Sequence, residues 1–319
     1  MIRRPLGSTD LVISAIGWGG FAAGGFMWGA QDDADSEAAI LAALDVGVDW
    51  LDTAPLYGSG RADGIVGKVL RGLPPSRRPR VFTKFGHHLV DGQRTTDGSR
   101  ARVIADCETA LTTFGVERLD LFQLHWPAPQ PVEETAGACA ELIRAGKVRH
   151  VGLSNVSVAQ CEAWRQHCPL ASVQNMYHLF RPEAAAEVIP WCAANGVGFL
   201  AYSPLMRGLL FGTWTSGKTF PPDDHRGGRP DFRPPRLDRY LAAVEELRVI
   251  AEEDDQSVAG LALGCLLCTE GVAGCIVGAR NAAQGAALGS LGMPVKQAQL
   301  DAVDAIVARC LADVAAMPA

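Results

Sequence analysis

Four side chains with proton-transfer chemistry follow short apolar runs of this chain in the order Asp52, Tyr57, Lys84 and His125. A turn that contains Pro55 separates Asp52 from Tyr57, so both can face one pocket. A tyrosine hydroxyl has a reference pKa of about 10, and a nearby lysine ammonium lowers this pKa because it favours the tyrosinate. A carboxylate would hold the lysine, and a histidine would polarise a carbonyl oxygen. The set therefore suits protonation of a developing alkoxide during carbonyl reduction.

These residues end apolar runs that alternate with helix-like segments. The strand-like runs are Ser14–Trp18, Val48–Asp52, Val81–Phe85, Leu119–His125, His150–Ser154, Ser172–Asn175, Gly198–Ser203 and Gly274–Gly278. The helical candidates are Ser36–Leu44, Arg100–Phe114, Glu133–Ala145, Val158–His167, Ala184–Ala194 and a helix capped by Asp238 that runs through Val249. Eight such strands predict an α/β fold with parallel pairing. An open doubly wound sheet normally carries a Gly-x-Gly-x-x-Gly turn after its first strand, and the glycine-rich turns of this chain lack the third glycine of that motif. We therefore predict a closed (β/α)8 TIM barrel.

Two segments lie outside this repeat. Residues 1–13 are predicted to form an N-terminal β-hairpin that plugs the bottom of the barrel. Residues 207–236 are predicted to form a long loop after strand 7. This loop has six Arg or Lys residues against three Asp residues, a balance of +3 in a protein of formal charge −6. No break in composition divides the chain, so we predict a single domain over residues 1–319.

Composition and charge argue against several classes of function. The charge of −6 disfavours nucleic acid or an anionic membrane as the main partner. The longest apolar run, about Val258 to Cys268, is too short to cross a bilayer, and the first residues lack the apolar core of a secretory signal. Nine scattered cysteines fit a reduced cytoplasmic protein. Cys265 and Cys268 have no second pair nearby, so no metal site is predicted.

Five motifs occur in order at the spacing of barrel strands and resemble the aldo-keto reductase superfamily. They are Leu51–Gly58, Thr83–Gly86, Gln123–Trp126, Gly152–Asn155 and Ala201–Leu205. The resemblance runs from about Leu6 to Leu291, and further stretches are similar to bacterial general-stress reductases. These are Met27–Gly29, Asp120–Pro127 and Arg207–Leu210. The resemblance implies a barrel that binds NADP(H), or alternatively NAD(H), and reduces a small-molecule aldehyde or ketone to an alcohol by hydride transfer.

The resemblance also implies a role for each site residue. Tyr57 would be the general acid, Lys84 would lower its pKa, Asp52 would pair with Lys84, and His125 would orient the carbonyl. The residues expected at the cofactor are Ser154, Asn155 and Gln174 for the carboxamide, Tyr202 for ring stacking, Ser203, Leu205 and Arg207 along the pyrophosphate, and Gly278, Arg280 and Gln284 in the segment for the 2′-phosphate. Trp28 and Trp126 are candidate walls of the substrate pocket, since such rings suit apolar carbonyl compounds and also stack on sugar lactols.

Departures from the family pattern keep one alternative function open, and a second alternative belongs to a different class of protein. Ala62-Asp63 stands where many relatives have Ser-Glu, and Ala287-Leu288 stands where relatives often have Glu-Asn beside adenine. An NAD-dependent dehydrogenase of a sugar or another cyclic hemiacetal is therefore one alternative. A regulatory subunit that binds NADP(H), turns over slowly and signals redox state through a partner is another. His87 and His88 follow Lys84 in a predicted loop and could border the pocket, although solvation is the favoured interpretation because loop histidines are usually solvated.

Overall fold

Eight parallel strands close into a barrel at the centre of the molecule. The computed structural model describes residues 1–25, 27–90 and 92–317. The barrel strands are β3 (Ile16–Gly19), β4 (Trp50–Asp52), β5 (Arg80–Phe85), β8 (Leu119–Leu124), β9 (Val148–Ser154), β10 (Ser172–Met176), β11 (Gly198–Tyr202) and β12 (Val272–Val277). Each strand pairs with the next in this order, and β12 pairs with β3. The predicted (β/α)8 barrel is confirmed.

Helices surround the barrel and connect its strands. The α-helices of the described residues are α1 (Asp33–Asp45), α2 (Arg61–Gly72), α3 (Arg100–Phe114), α4 (Val132–Arg144), α5 (Val158–Arg165), α6 (Val188–Ala194), α7 (Arg236–Glu252), α8 (Val258–Cys268), α9 (Ala282–Ala287) and α10 (Gln297–Ala315). Helix α3 has its predicted bounds, because Ser99 caps the first turn and Gly115 ends the helix with a φ of 66°. Across residues 1–25, 27–90 and 92–317, we find no helix with the length and apolar character needed to cross a membrane.

The predicted first strand, Ser14–Trp18, is divided between two strands. Ser14 ends a hairpin strand, and Ile16 begins β3. The Ser14 hydroxyl donates to the carbonyl oxygen of Ile16 (2.6 Å), and the Ser14 N–H donates to Oδ1 of Asp49 (2.8 Å). These bonds hold a break at Ala15 that the continuous apolar pattern does not reveal.

Prolines shift the first residue of two predicted helices. The predicted helix Ala184–Ala194 is a 3-10 helix, Glu183–Ala185, followed by α6. Pro190 has no N–H, and its ring would clash with the carbonyl four residues earlier, so α6 starts late enough to place Pro190 in its first turn. Asp238 lies within the first turn of α7 instead of capping it, because the helix begins directly after Pro235.

A β-hairpin seals the N-terminal end of the barrel, as predicted. Its strands are β1 (Arg3–Pro5) and β2 (Val12–Ser14). The inner core of the barrel contains fully buried hairpin residues together with inward-facing strand residues; they include Leu6, Leu11, Ile13, Trp50, Phe82 and Leu121. The Ser8 N–H donates to the carbonyl oxygen of Gly196 (2.7 Å), just before β11. The hairpin is therefore bonded to the barrel floor as well as packed against it.

Two segments build walls at the opposite, C-terminal end. Strands β6 (His87–Val90) and β7 (Gln93–Thr96) form an antiparallel hairpin directly after β5, which the sequence interpretation treated as a loop. The predicted long loop after strand 7 joins β11 to α7. It contains short 3-10 helices at Met206–Phe211, His225–Gly228 and Pro230–Phe232.

The hairpin contact predicts a test of stability. Leu11→Ala removes a fully buried side chain from the inner core, so we expect it to lower the free energy of unfolding by about 2–5 kcal/mol. Val12, next to it on the opposite face, is 46% exposed, and Val12→Ala should change the value by less than about 0.5 kcal/mol. Urea unfolding followed by tryptophan fluorescence measures both variants. Equal losses in the two variants would contradict a hairpin plug.

Candidate active site

A cavity of about 520 Å³ lies at the C-terminal ends of the barrel strands. Of the sixteen residues predicted for the site, fifteen line this cavity. They are Trp28, Asp52, Tyr57, His125, Trp126, Ser154, Asn155, Gln174, Tyr202, Ser203, Leu205, Arg207, Gly278, Arg280 and Gln284. The remaining one, Lys84, lies behind Asp52 and Tyr57. The parallel barrel brings these residues together because equivalent ends of all its strands meet at one face.

A buried ion pair lies beneath the cavity. Lys84 Nζ donates to Asp52 Oδ1 (2.5 Å) and to the carbonyl oxygen of Thr53 (3.1 Å). Asp52 Oδ2 accepts from Nε2 of Gln174 (2.8 Å) and of Gln123 (3.3 Å), so both carboxylate oxygens are bonded. Burial is the largest single influence and lowers the pKa of Lys84, but the attractions of Asp52 and Tyr57 together outweigh it and raise this pKa. Lys84 therefore remains charged at neutral pH.

Tyr57 lies above this pair, with its ring centroid 5.1 Å from Lys84 Nζ. Burial raises the pKa of Tyr57 to about 12, while the charge of Lys84 acts to lower it. The influence of Lys84 thus has the sign expected from the sequence, but burial is the larger effect. Tyr57 consequently keeps its proton at neutral pH and is able to donate it.

His125 packs edge-on against Tyr57, with ring centroids 5.7 Å apart. Burial, followed by the nearby charge of Lys84, holds the pKa of His125 well below its usual value, so the ring is neutral. Its Nδ1 is buried and has no hydrogen-bond partner among the described residues. A neutral imidazole in this setting can carry its proton on Nε2, from which it would donate to a carbonyl oxygen.

Polar side chains between β8 and β11 bond to one another along the cavity wall. Ser154 donates to the carbonyl oxygen of Gln174 (2.8 Å). Asn155 Nδ2 donates to the carbonyl oxygen of His125 (2.9 Å), and the Tyr202 hydroxyl donates to Asn155 Oδ1 (2.7 Å). The network fixes the Tyr202 ring as one wall of the cavity.

The backbone after β11 adopts left-handed conformations at three residues that are not glycine. The φ angles are 53° at Ser203, 46° at Met206 and 53° at Arg207. Such conformations are unfavourable and persist only where surrounding contacts impose them, as often happens at ligand sites. Burial, followed by the charge of Arg229, lowers the pKa of Arg207 to about 10. A cation held under these conditions would be stabilised by an anionic ligand.

The long loop after strand 7 closes against the Trp28 side of the cavity. Arg226 forms a bidentate ion pair with the buried Asp224, and its guanidinium carbon lies 4.5 Å from the centroid of the Trp28 ring. His225 Nδ1 lies 2.7 Å from the carbonyl oxygen of Met27. The positive charge of the loop is evident from the sequence, but these contacts are not, because they join segments distant in sequence.

Arg280 lies at the far end of the cavity, and a neighbouring loop holds its side chain. Its Nε donates to Gln31 Oε1 (2.6 Å) and its Nη2 to the carbonyl oxygen of Ala30 (2.5 Å). Gln284 Oε1 accepts from the Arg280 N–H (2.9 Å). At Gly278 an added Cβ would meet only ordinary contact distances, so packing within the protein does not require a glycine there.

His87 is a cavity residue, whereas the sequence favoured a solvated position for it over one at the border of the pocket. It is 8% exposed, lines the cavity and lies 5.5 Å from His125 between ring centroids. Trp126, by contrast, is 43% exposed at the rim. The signal that could have revealed the β6–β7 hairpin is Asp91-Gly92, a dipeptide typical of two-residue hairpin turns.

Comparisons with known proteins agree with this geometry. The family model "Aldo/keto reductase family" matches residues 15–308. The aldo-keto reductase YhdN of Bacillus subtilis is 38% identical over 288 residues, which cover 90% of this chain and 87% of that protein. The structure of a glycerol dehydrogenase from Gluconobacter oxydans superposes with a TM-score of 0.90 at 34% identity, covering 97% of this chain and 96% of that one. An aldo-keto reductase of Bacillus halodurans gives a TM-score of 0.78 at 25% identity, with 96% of each chain covered.

The family match over most of the chain agrees with a closed barrel whose strand ends carry the predicted motifs. The chain belongs to the aldo/keto reductase family, whose members are NAD(P)H-dependent oxidoreductases.

Proposed function

We propose that this protein, acting as one domain over residues 1–319, is an NADP(H)-dependent reductase of aldehydes and ketones with Tyr57 as its general acid. The observation that carries the proposal is the buried Lys84–Asp52 pair directly beneath a protonated Tyr57 and beside a neutral His125. Two neutral donors and one fixed cation would then surround a carbonyl oxygen as it gains negative charge, which supports the proposal.

The lining of the cavity supports an anionic cofactor. Within the described part of the chain, Asp52 is the only carboxylate that lines the cavity, and its charge is paired with Lys84. Five arginines line the same cavity, namely Arg94, Arg207, Arg226, Arg229 and Arg280. Arg207 would contact the pyrophosphate, and the Tyr202 ring would pack against the nicotinamide beside Ser154, Asn155 and Gln174. An excess of cations in a protein of net charge −6 fits a phosphate-bearing ligand.

The protein residues would handle the proton. A nicotinamide cofactor, when bound beside Tyr202, would supply a hydride to the carbonyl carbon. As the new C–H bond forms, the electron pair of the C=O bond moves to oxygen, which accepts hydrogen bonds from the Tyr57 hydroxyl and from His125 Nε2. The oxygen then takes the Tyr57 proton, which yields the alcohol. Lys84, held by Asp52, stabilises the tyrosinate until it regains a proton from water.

Arg280 supports NADP(H) over NAD(H). Three of its five N–H donors are not used by the contacts to Gln31 and Ala30, and a planar guanidinium suits a phosphate. Leu288 is buried in the core and offers no polar group to adenine. A preference for NADP(H) over NAD(H) would therefore depend on the contact between Arg280 and the 2′-phosphate.

The reverse reaction, oxidation of an alcohol, is the second candidate direction. The Gluconobacter oxydans relative is named a glycerol dehydrogenase, and the same residues serve both directions because the proton transfer is reversible.

Replacing the general acid tests the mechanism. Tyr57→Phe should reduce the rate of carbonyl reduction by about 10²- to 10⁴-fold and leave NADPH affinity nearly unchanged, because only the proton donor is lost. Steady-state assays and fluorescence titration measure the two quantities. Tyr177→Phe, which removes the hydroxyl bonded to Thr269 away from the cavity, is the matched control and should stay active. Retention of most of the rate in Tyr57→Phe would refute the assignment.

The rate of the enzyme should depend on pH in opposite ways for the two directions. Reduction needs protonated Tyr57, whose pKa is raised to about 12, so its rate should stay level between about pH 6 and pH 9. Alcohol oxidation needs the tyrosinate and should become faster as pH rises. Lys84→Met removes the group that lowers the pKa of Tyr57, so it should slow oxidation throughout this range. A reduction rate that halves within it would contradict Tyr57 as the acid.

Cofactor titrations test Arg280. Arg280→Ala should raise the Kd for NADPH about 10- to 100-fold, since charge-assisted bonds to the 2′-phosphate are lost, and should change the Kd for NADH by less than about threefold. Arg118→Ala removes an equal charge from an exposed residue just before β8, at the opposite end of the barrel, and should change neither. Similar losses for both cofactors in Arg280→Ala would exclude a phosphate contact.

A further inference from the structure

His87 presents a second imidazole to the cavity beside His125. We propose that His87 binds a hydroxyl group on the carbon next to the carbonyl, so that the substrate is a small α-hydroxy aldehyde or ketone. In the reverse direction the substrate is the corresponding vicinal diol. The proposal rests on the function given above, in which His125 and Tyr57 bind the carbonyl oxygen.

The β6–β7 hairpin fixes the direction of the His87 side chain. Successive residues of a strand point to opposite faces, and here each of two neighbouring histidines is anchored on its own face. His88 Nε2 lies 2.8 Å from Oδ2 of Asp106, away from the cavity, and the same oxygen accepts from the Gly86 N–H (2.9 Å). His87 is paired with Thr96 across the hairpin, and Thr96 Oγ1 lies 2.8 Å from His87 Nδ1.

One ring nitrogen of His87 is left for a ligand. Nδ1 is engaged by Thr96, so Nε2 is the nitrogen that remains. Burial, followed by the charge of Arg94, lowers the pKa of His87, and its ring is therefore neutral at neutral pH. A neutral imidazole nitrogen bonds to a hydroxyl as donor or as acceptor, according to its tautomer.

The positions of the neighbouring rings define which oxygen His87 can reach. Its ring centroid lies 5.5 Å from that of His125, at an angle of 76°, and 6.3 Å from that of Trp126. Two imidazoles this close suit two oxygens on adjacent carbon atoms, one bound to each ring. Phe21 and Trp28, 5.7 Å apart, form apolar walls of the same cavity, which favours a short substrate.

This geometry makes His87 a specificity-determining residue. An apolar aldehyde would remove water from Nε2 of His87 and supply no hydrogen bond in exchange, whereas an α-hydroxyl group would replace that water. Sites built to bond a hydroxyl discriminate strongly against analogues that lack it.

Matched substrates test the proposal on the purified full-length protein with NADPH. Propanal is compared with lactaldehyde, its α-hydroxy derivative. We expect the wild-type kcat/KM to favour lactaldehyde by about tenfold or more. His87→Leu should reduce that ratio at least tenfold, mainly through the KM for lactaldehyde, and His87→Asn should restore part of it. His88→Asn, on the opposite face of the same strand, should leave the ratio unchanged.

The outcomes separate this proposal from the general function. Reduction of propanal without a preference for lactaldehyde would overturn the role of His87 and leave the reductase function standing. Reduction of neither aldehyde would overturn the reductase function itself. If His87→Leu does not fold, Thr96→Val removes the anchor of Nδ1 and keeps the imidazole. A ratio that is unchanged in Thr96→Val, where a reduction is expected, would overturn the proposal.

Discussion

The need to bury Lys84 and Asp52 together is the constraint on which the rest of the site depends. An ion pair taken out of water is stable only if nearly all of its remaining donors and acceptors are bonded. Here the partners come from four strands, because Gln123 on β8 and Gln174 on β10 bond the carboxylate that β4 supplies to the lysine of β5. A closed barrel provides such convergence, and the hairpin at the opposite end keeps water from the floor. The fixed charge in turn governs Tyr57 and His125, whose pKa values are shifted by burial and by Lys84.

The loops determine where positive charge lies around the cavity. The strand ends supply one compensated ion pair, whereas most cations of the cavity come from segments outside the barrel, such as the long loop after strand 7 and the β6–β7 hairpin. Arg226 is neutralised by Asp224 and joins the Trp28 wall to the carbonyl oxygen of Arg207. The remaining arginines face the cavity with their charge less compensated. A protein of net charge −6 thus carries a positive site without a basic surface.

The sequence predicted the fold and the site where a functional residue lies next to a recognisable strand pattern. The barrel and the positions of Asp52, Lys84 and His125 could be predicted because each polar residue directly ends or follows an apolar strand. The positions of Gln31 and Arg226 could not be predicted, since their roles depend on contacts with Arg280 and Trp28, far away in the chain. Helix α2 was missed because its three glycines weaken a helical pattern. Gly67 is there for packing, as any side chain at this position would collide with the carbonyl oxygen of Thr113 on α3.

The sealed floor of the barrel also constrains the order of events in a catalytic cycle. The described strands form a closed barrel, and the N-terminal hairpin blocks one end of it, so cofactor and substrate have to share the open end. Two ligands in one blind-ended cleft cannot exchange independently. Where one ligand lies between the other and the opening, the inner ligand has to arrive first and depart last. A few apolar side chains at the bottom of the molecule thereby leave only its top for the passage of both ligands.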